Sequence, residues 1–74
     1  MKIKLYGRLR GYTQGTPVVE MDIEAETSVQ QIIQKLGIPD ELVSVVEQDG
    51  RPIHKSSRPG NAATITLVPV VSGR

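Results

Sequence analysis

Thr27-Ser28-Val29-Gln30-Gln31-Ile32-Ile33-Gln34-Lys35-Leu36-Gly37-Ile38-Pro39 is the stretch where the hydrophobic pattern of the chain changes period. Val29, Ile32, Ile33 and Leu36 recur at the i, i+3, i+4, i+7 spacing of one helical stripe. Thr27 with Gln30, or Ser28 with Gln31, supplies a capping box, in which a hydroxyl accepts a backbone N–H and the glutamine reaches back to the cap. Gly37 suits the left-handed position after a helix, Ile38 the apolar contact beyond it, and Pro39 blocks continuation. The spacing predicts one short helix from Ser28 to Leu36.

On the N-terminal side the period is two. Lys2 to Arg10 alternates, with Ile3 and Leu5 on one side, Leu9 as a further candidate there, and Lys2, Lys4 and Tyr6 on the other. Such alternation predicts a half-buried strand. Gly11 to Pro17 contains two glycines and a proline and reads as a turn. Val18 to Ile23 alternates again, with Val19, Met21 and Ile23 set against Glu20 and Asp22, so the first two strands form a hairpin.

On the C-terminal side, Asp40 to Leu42 predicts a brief helical turn and Val43 to Gln48 a strand. Asp49-Gly50 is a turn signal, with Ile53 in a short strand after it. Pro59-Gly60 is a second turn. Ala63 to Val68 forms a last strand, with Ile65 and Leu67 on one face and Thr64 and Thr66 on the other. The order β-β-α-β-(β)-β places one helix on one face of a four- or five-stranded mixed sheet, an α+β fold whose other face stays wet. If the last strand lies beside the first and parallel to it, the arrangement is a β-grasp. The inner face is then expected to join Val29, Ile32, Ile33 and Leu36 to Ile3, Leu5, Met21, Val45 and Leu67.

Composition bounds the rest. A chain of 74 residues is one domain, and at this size folding buries only about 60% of the surface of the unfolded chain. It contains no cysteine, phenylalanine or tryptophan, so its core rests on Ile, Leu and Val. Cysteine absence fits a reducing compartment. Neither a signal peptide nor a membrane-spanning run is visible, and the expected location is cytoplasmic, with no membrane partner. The formal net charge is only +1, but its distribution is uneven. Lys2, Lys4, Arg8 and Arg10 open the chain, all 8 acids fall between Glu20 and Asp49, and Lys55, Arg58 and Arg74 follow. Scarce aromatics and a near-neutral total rank nucleic-acid binding low.

The residues for catalysis are missing. With no cysteine there is no thiol nucleophile, and His54, the single imidazole, stands beside Lys55 in a polar stretch without metal-ligand spacing. Glu20, Asp22, Glu24 and Glu26 recur at every second position and read as a solvated strand face. Gly7, Gly11 and Gly15 are too widely spaced for a phosphate loop. The expectation is a protein that is not an enzyme, with no catalytic residue, metal or cofactor. The expected division is a domain over residues 1–69 and a flexible tail over 70–74. The tail Val70-Val71-Ser72-Gly73-Arg74, extended, reaches on the order of 16 Å; by itself this feature reads as a frayed terminus, with entry into a narrow groove on another protein as the functional alternative.

These features resemble one family across nearly the whole chain. Ile3-Lys4-Leu5-Tyr6-Gly7-Arg8-Leu9-Arg10 is similar to the first strand of the ubiquitin-like sulfur carriers, the small subunit of molybdopterin synthase and the thiamine-pathway carrier. Thr27-Ser28-Val29 through Leu36 resembles their helix start, and Val45-Val46-Glu47-Gln48-Asp49-Gly50-Arg51 their strand into an Asn-Gly or Asp-Gly turn. Leu67-Val68-Pro69-Val70-Val71-Ser72-Gly73 is similar to their last strand and tail, which commonly ends in Gly-Gly. The resemblance implies a carrier whose terminal carboxylate is adenylated by an E1-like enzyme using ATP, after which sulfur replaces AMP. The implied partners are that adenylyltransferase or the large subunit of a synthase, within molybdopterin or thiamine biosynthesis. The implied site is Val70, Val71, Ser72, Gly73 and Arg74, with Arg8 and Arg10 on the partner surface.

The chain departs from the pattern at its end. Aligned without a gap, Gly73 falls on the penultimate glycine and Arg74 on the terminal one. Ser57 and Gly60-Asn61 also replace the leucine and the Gly-Asp pair usual before the last strand. Two readings follow: a sulfur-carrier-type protein in which Arg74 is tolerated, trimmed or absent from the natural chain, and a ubiquitin-like interaction module that kept the fold and lost the activatable terminus.

Overall fold

Ile3 and Leu5 are fully buried while Lys2 and Lys4 are exposed, so the opening alternation is that of a strand with one wet face. The computed structural model describes residues 1–60 and 63–70. Its strands are β1 (Lys2–Leu5), β2 (Val18–Glu20), β3 (Val43–Gln48), β4 (Arg51–Ile53) and β5 (Thr64–Pro69), with a helix α1 (Val29–Lys35) and 3-10 helices at Gly7–Thr13 and Asp40–Leu42. The sheet order is β2-β1-β5-β3-β4. β1 and β5 are parallel, with Ile3 opposite Ile65 and Leu5 opposite Leu67, and every other neighbouring pair is antiparallel. The expected mixed sheet with its first and last strands side by side is therefore present.

Of the two capping boxes that the sequence offers, Ser28 with Gln31 forms. The Ser28 hydroxyl accepts the Gln31 N–H at 3.3 Å and the Ser28 N–H donates to Gln31 Oε1 at 2.8 Å. The first helical N–H groups, which have no partner within a helix, donate outside it: Val29 to the Ser57 carbonyl at 3.0 Å and Gln30 to the Lys55 carbonyl at 2.8 Å. That pins the long loop after β4 to the start of α1. Gly37 closes the helix with a φ of 75°, and Ile38 is buried behind it. Val29, Ile32 and Ile33 are fully buried against Ile3, Leu5, Leu9, Ile65 and Leu67, and Leu36 packs at the margin.

Three expectations need correction. β1 does not run to Arg10: it stops at Leu5, Gly7 takes a φ of 57°, and the chain turns into the 3-10 helix, whose Leu9 drops into the core. Only a residue without Cβ adopts that conformation freely. β2 is shorter than Val18 to Ile23, because the ladder with β1 reaches its last partner where Met21 bonds Met1; Ile23 is buried all the same. Val45 is not in the core. A bulge lies between Val43 and Val45: Val43 sits opposite Pro69 and Val45 opposite Val68, leaving Ser44 as the extra residue. Val43 and Val46 point inward and Val45 points out.

Candidate functional site: the tail root and the outer sheet face

β5 is the middle strand of the sheet, and the chain leaves it at Pro69 between the end of β1 and the start of β3. Backbone bonds hold this exit from both sides. The Tyr6 N–H donates to the Leu67 carbonyl at 3.4 Å, and the Val70 N–H donates to the Leu42 carbonyl at 2.9 Å. Gly7 lies so close to Pro69 that a Cβ there would come within 3.2 Å of the proline ring. The exit at Val70 is therefore held at a fixed point. Of the expected tail residues, Val70 is exposed and anchored; Val71, Ser72, Gly73 and Arg74 lie outside the described residues.

Arg8 and Arg10 are carried by the 3-10 helix, which packs against β5. Both are exposed. Arg10 folds back, its Nε donating to the Leu5 carbonyl at 3.2 Å, which caps the last backbone acceptor of β1 and fixes a positive charge at the strand end. The sequence placed these arginines on a strand; the structure places them on the turn beside the strand from which the tail departs.

The outer face of the sheet adds residues that sequence reasoning missed. Strand register sets Val45 opposite Val68, and Tyr6, the extended residue just after β1, continues that strand's alternation onto the same face next to the tail root. Tyr6 is 49% exposed, Val45 38% and Val70 41%. Lys4, Thr66 and Glu47 form the next row, and Lys2 with Thr64 the one after. The face thus grades from apolar at the tail root to mixed charge farther away, where Glu47 shares the row of Lys4 and Glu20 stands opposite Lys2. Tyr6 was legible from alternation, but Val45 was not, because the bulge that turns it outward leaves no mark in the pattern of Val43-Ser44-Val45-Val46. A polar surface depression lies elsewhere, lined by Glu26, Gln30, Gln34 and Arg58 among others. Among the described residues no His, Cys, Asp and Glu side chains cluster as a metal site would, and no helix is long and apolar enough to cross a membrane.

The architecture has a solved counterpart. SAMP1 from Haloferax volcanii superposes with a TM-score of 0.76 at 18% identity, over 100% of this chain and 98% of that one. A second crystal structure, of H. volcanii small archaeal modifier protein 1, gives 0.76 at 17% identity over 96% and 97% of the two chains. The chain has the ubiquitin-like β-grasp fold. At that identity the likeness establishes the fold alone. No protein-family model matches the sequence, and no curated protein matches it.

Proposed function

We propose that this domain is a ubiquitin-like carrier that presents residues 70–74 to an E1-like adenylating enzyme or to the large subunit of a synthase, and does not itself catalyse. The observation that carries the reading is the anchoring of the exit: Val70 is bonded to Leu42 at the end of the central strand, beside exposed Tyr6 and Val45 with half-buried Val68 between them. A tail launched from a rigid point next to a sticky surface suits a partner that grips the domain while threading the tail into a channel. Holding the reacting carboxylate at about 3–3.5 Å from an α-phosphate requires such positioning. Arg8 and Arg10, exposed beside the tail root, favour a partner whose matching surface is acidic.

The chemistry implied by the sulfur-carrier resemblance is attack of the terminal carboxylate on the α-phosphate of ATP with loss of pyrophosphate, then displacement of AMP by a sulfur donor. Ser72 and Gly73 bring little or no side chain to a narrow channel. Arg74 brings a guanidinium to the place where the family has its last glycine, which favours a second reading: a ubiquitin-like interaction module that binds through the same face and is not activated.

Intact mass after incubation with a cognate E1-like enzyme, ATP and a sulfur donor tests the first reading. In the expected outcome the enzyme binds the chain but adenylates it poorly, and Arg74→Gly strongly raises both the AMP adduct and the mass gain of a sulfur-for-oxygen exchange. Equal adduct in both chains removes Arg74 as a barrier and leaves an active carrier. Binding without adduct in either chain selects the interaction module.

A further inference from the structure

The two edges of the sheet are built differently. On β4 the pair Gln48–Arg51 closes the hairpin over Asp49-Gly50, whose φ values of 51° and 88° suit a two-residue turn. Alternation then makes Gln48–Arg51 and Val46–Ile53 the bonded pairs and turns the backbone nitrogen of Pro52, opposite Glu47, toward the open side. A proline has no N–H, so this edge offers an incoming strand no donor there.

The β2 edge carries no such block. The Pro17 carbonyl accepts the Leu5 N–H at 2.8 Å, the Met21 N–H donates to Met1 at 2.9 Å, and the Met1 ammonium donates to the Met21 carbonyl at 2.7 Å. Pro17 and Met21 thus address β1, and by alternation so does Val19, which stands opposite Ile3. Val18 and Glu20 therefore turn their N–H and C=O groups away from the sheet. The side chains alternate as well. Val19 and Met21 are half-buried at the margin of the core, whereas Glu20, Asp22 and Glu24 are exposed. Lys2 lies opposite Glu20 on the β1 side and exposed Val18 shares the outer row, so the acidic charge open to an incoming strand is greatest just beyond β2, at the exposed Asp22 and Glu24.

We propose that the free edge of β2 docks an extended segment of a partner protein in which aliphatic residues alternate with Lys or Arg. The backbone of Val18 and Glu20 supplies the hydrogen bonds of strand addition, which are blind to sequence. Selectivity comes from the two rows: aliphatic side chains extend the core beside Val19 and Met21, and cationic ones meet Glu20 and Asp22 on the outer side. The same acids disfavour a second copy of this chain, because antiparallel pairing of two β2 edges sets like charges against each other. The site lies across β1 from the tail root and acts independently of it.

Titration of the isotope-labelled full chain with a short blocked peptide of alternating valine and lysine, followed by NMR, tests this. The amides of Val18 and Glu20 should shift and gain protection from hydrogen exchange, and a valine–glutamate peptide should leave them unchanged. Glu20→Gln together with Asp22→Asn should weaken binding by about two- to thirtyfold, the range for two exposed charge pairs. Glu20→Pro removes the outward N–H while sparing the ladder to β1, so it should abolish the protection with the amide signals of Ile3 and Ile65 in place. Shifts confined to Thr66 and Val68 on the outer face would overturn the proposal. So would equal binding of the glutamate peptide, no shift at about 1 mM peptide, or protection of Val18 and Glu20 by self-association without peptide.

Discussion

Replacing Val46 by alanine removes two methyl groups from a side chain that is 2% exposed. At about 0.8 kcal/mol per buried carbon the transfer term is about 1.6 kcal/mol. The space left between β3 and α1 raises the loss to about 2–3 kcal/mol. The same substitution at Val45, 38% exposed, removes little buried surface and should cost about 0.5 kcal/mol or less. For a domain of this size about 4–8 °C of Tm accompanies each kcal/mol. Val46→Ala should then melt about 8–24 °C below the parent and Val45→Ala within a few degrees of it. Urea unfolding followed by far-ultraviolet circular dichroism measures both, and an unchanged slope against urea would confirm that only stability moved. Partner binding should show the reverse order, with Val45→Ala the weaker binder under conditions where both chains are folded. Equal destabilisation by the two substitutions would refute the bulge at Ser44 and the outward face built on it.

Gly7→Ala should destabilise by about 1–2 kcal/mol in the same urea assay, from a side chain forced to a φ of 57° and from its approach to Pro69. Ser28→Ala removes the helix cap and should cost about 1 kcal/mol, visible as a lower urea midpoint. Lys55→Gln breaks the 3.2 Å ion pair with Asp40 and the 3.0 Å bond to its carbonyl; with the carboxylate exposed, the melting point should fall by less than about 8 °C. Arg8→Gln with Arg10→Gln should slow association with an acidic partner and flatten its salt dependence, read by stopped-flow mixing at two ionic strengths.

The parts of the fold legible in the sequence are those fixed by neighbours a few residues apart. Ser28, Gln31 and Gly37 bracket α1 because caps are local, and Asp49-Gly50 marks its hairpin because positive φ is a property of single residues. What was hidden depends on contacts distant along the chain. Leu9 continues the alternation of Ile3 and Leu5, yet reaches the core from a 3-10 helix because Gly7 ends the strand. Val43, Val45 and Val46 are apolar at both parities, so pattern alone cannot decide which faces α1; the register against Pro69 and Val68 does. For the site, the exposed tail root at Val70 and the surface character of Arg8 and Arg10 were readable, whereas the row of Tyr6, Val68 and Val45 exists only once three strands lie side by side.

The parallel pairing of β1 with β5 also carries a consequence for synthesis. Ile3 waits for Ile65, about sixty residues later, before the middle of the sheet can form, and such distant closure is the slow kind in folding. A nascent chain that has not yet delivered β5 leaves β1 and β3 each with an unpaired apolar side, the state that chaperones and proteases recognise. The same strand that completes the core ends at the tail root. Anchoring of Val70 beside Leu42 therefore reports that the whole domain has closed, and a truncated or misfolded copy lacks that anchor.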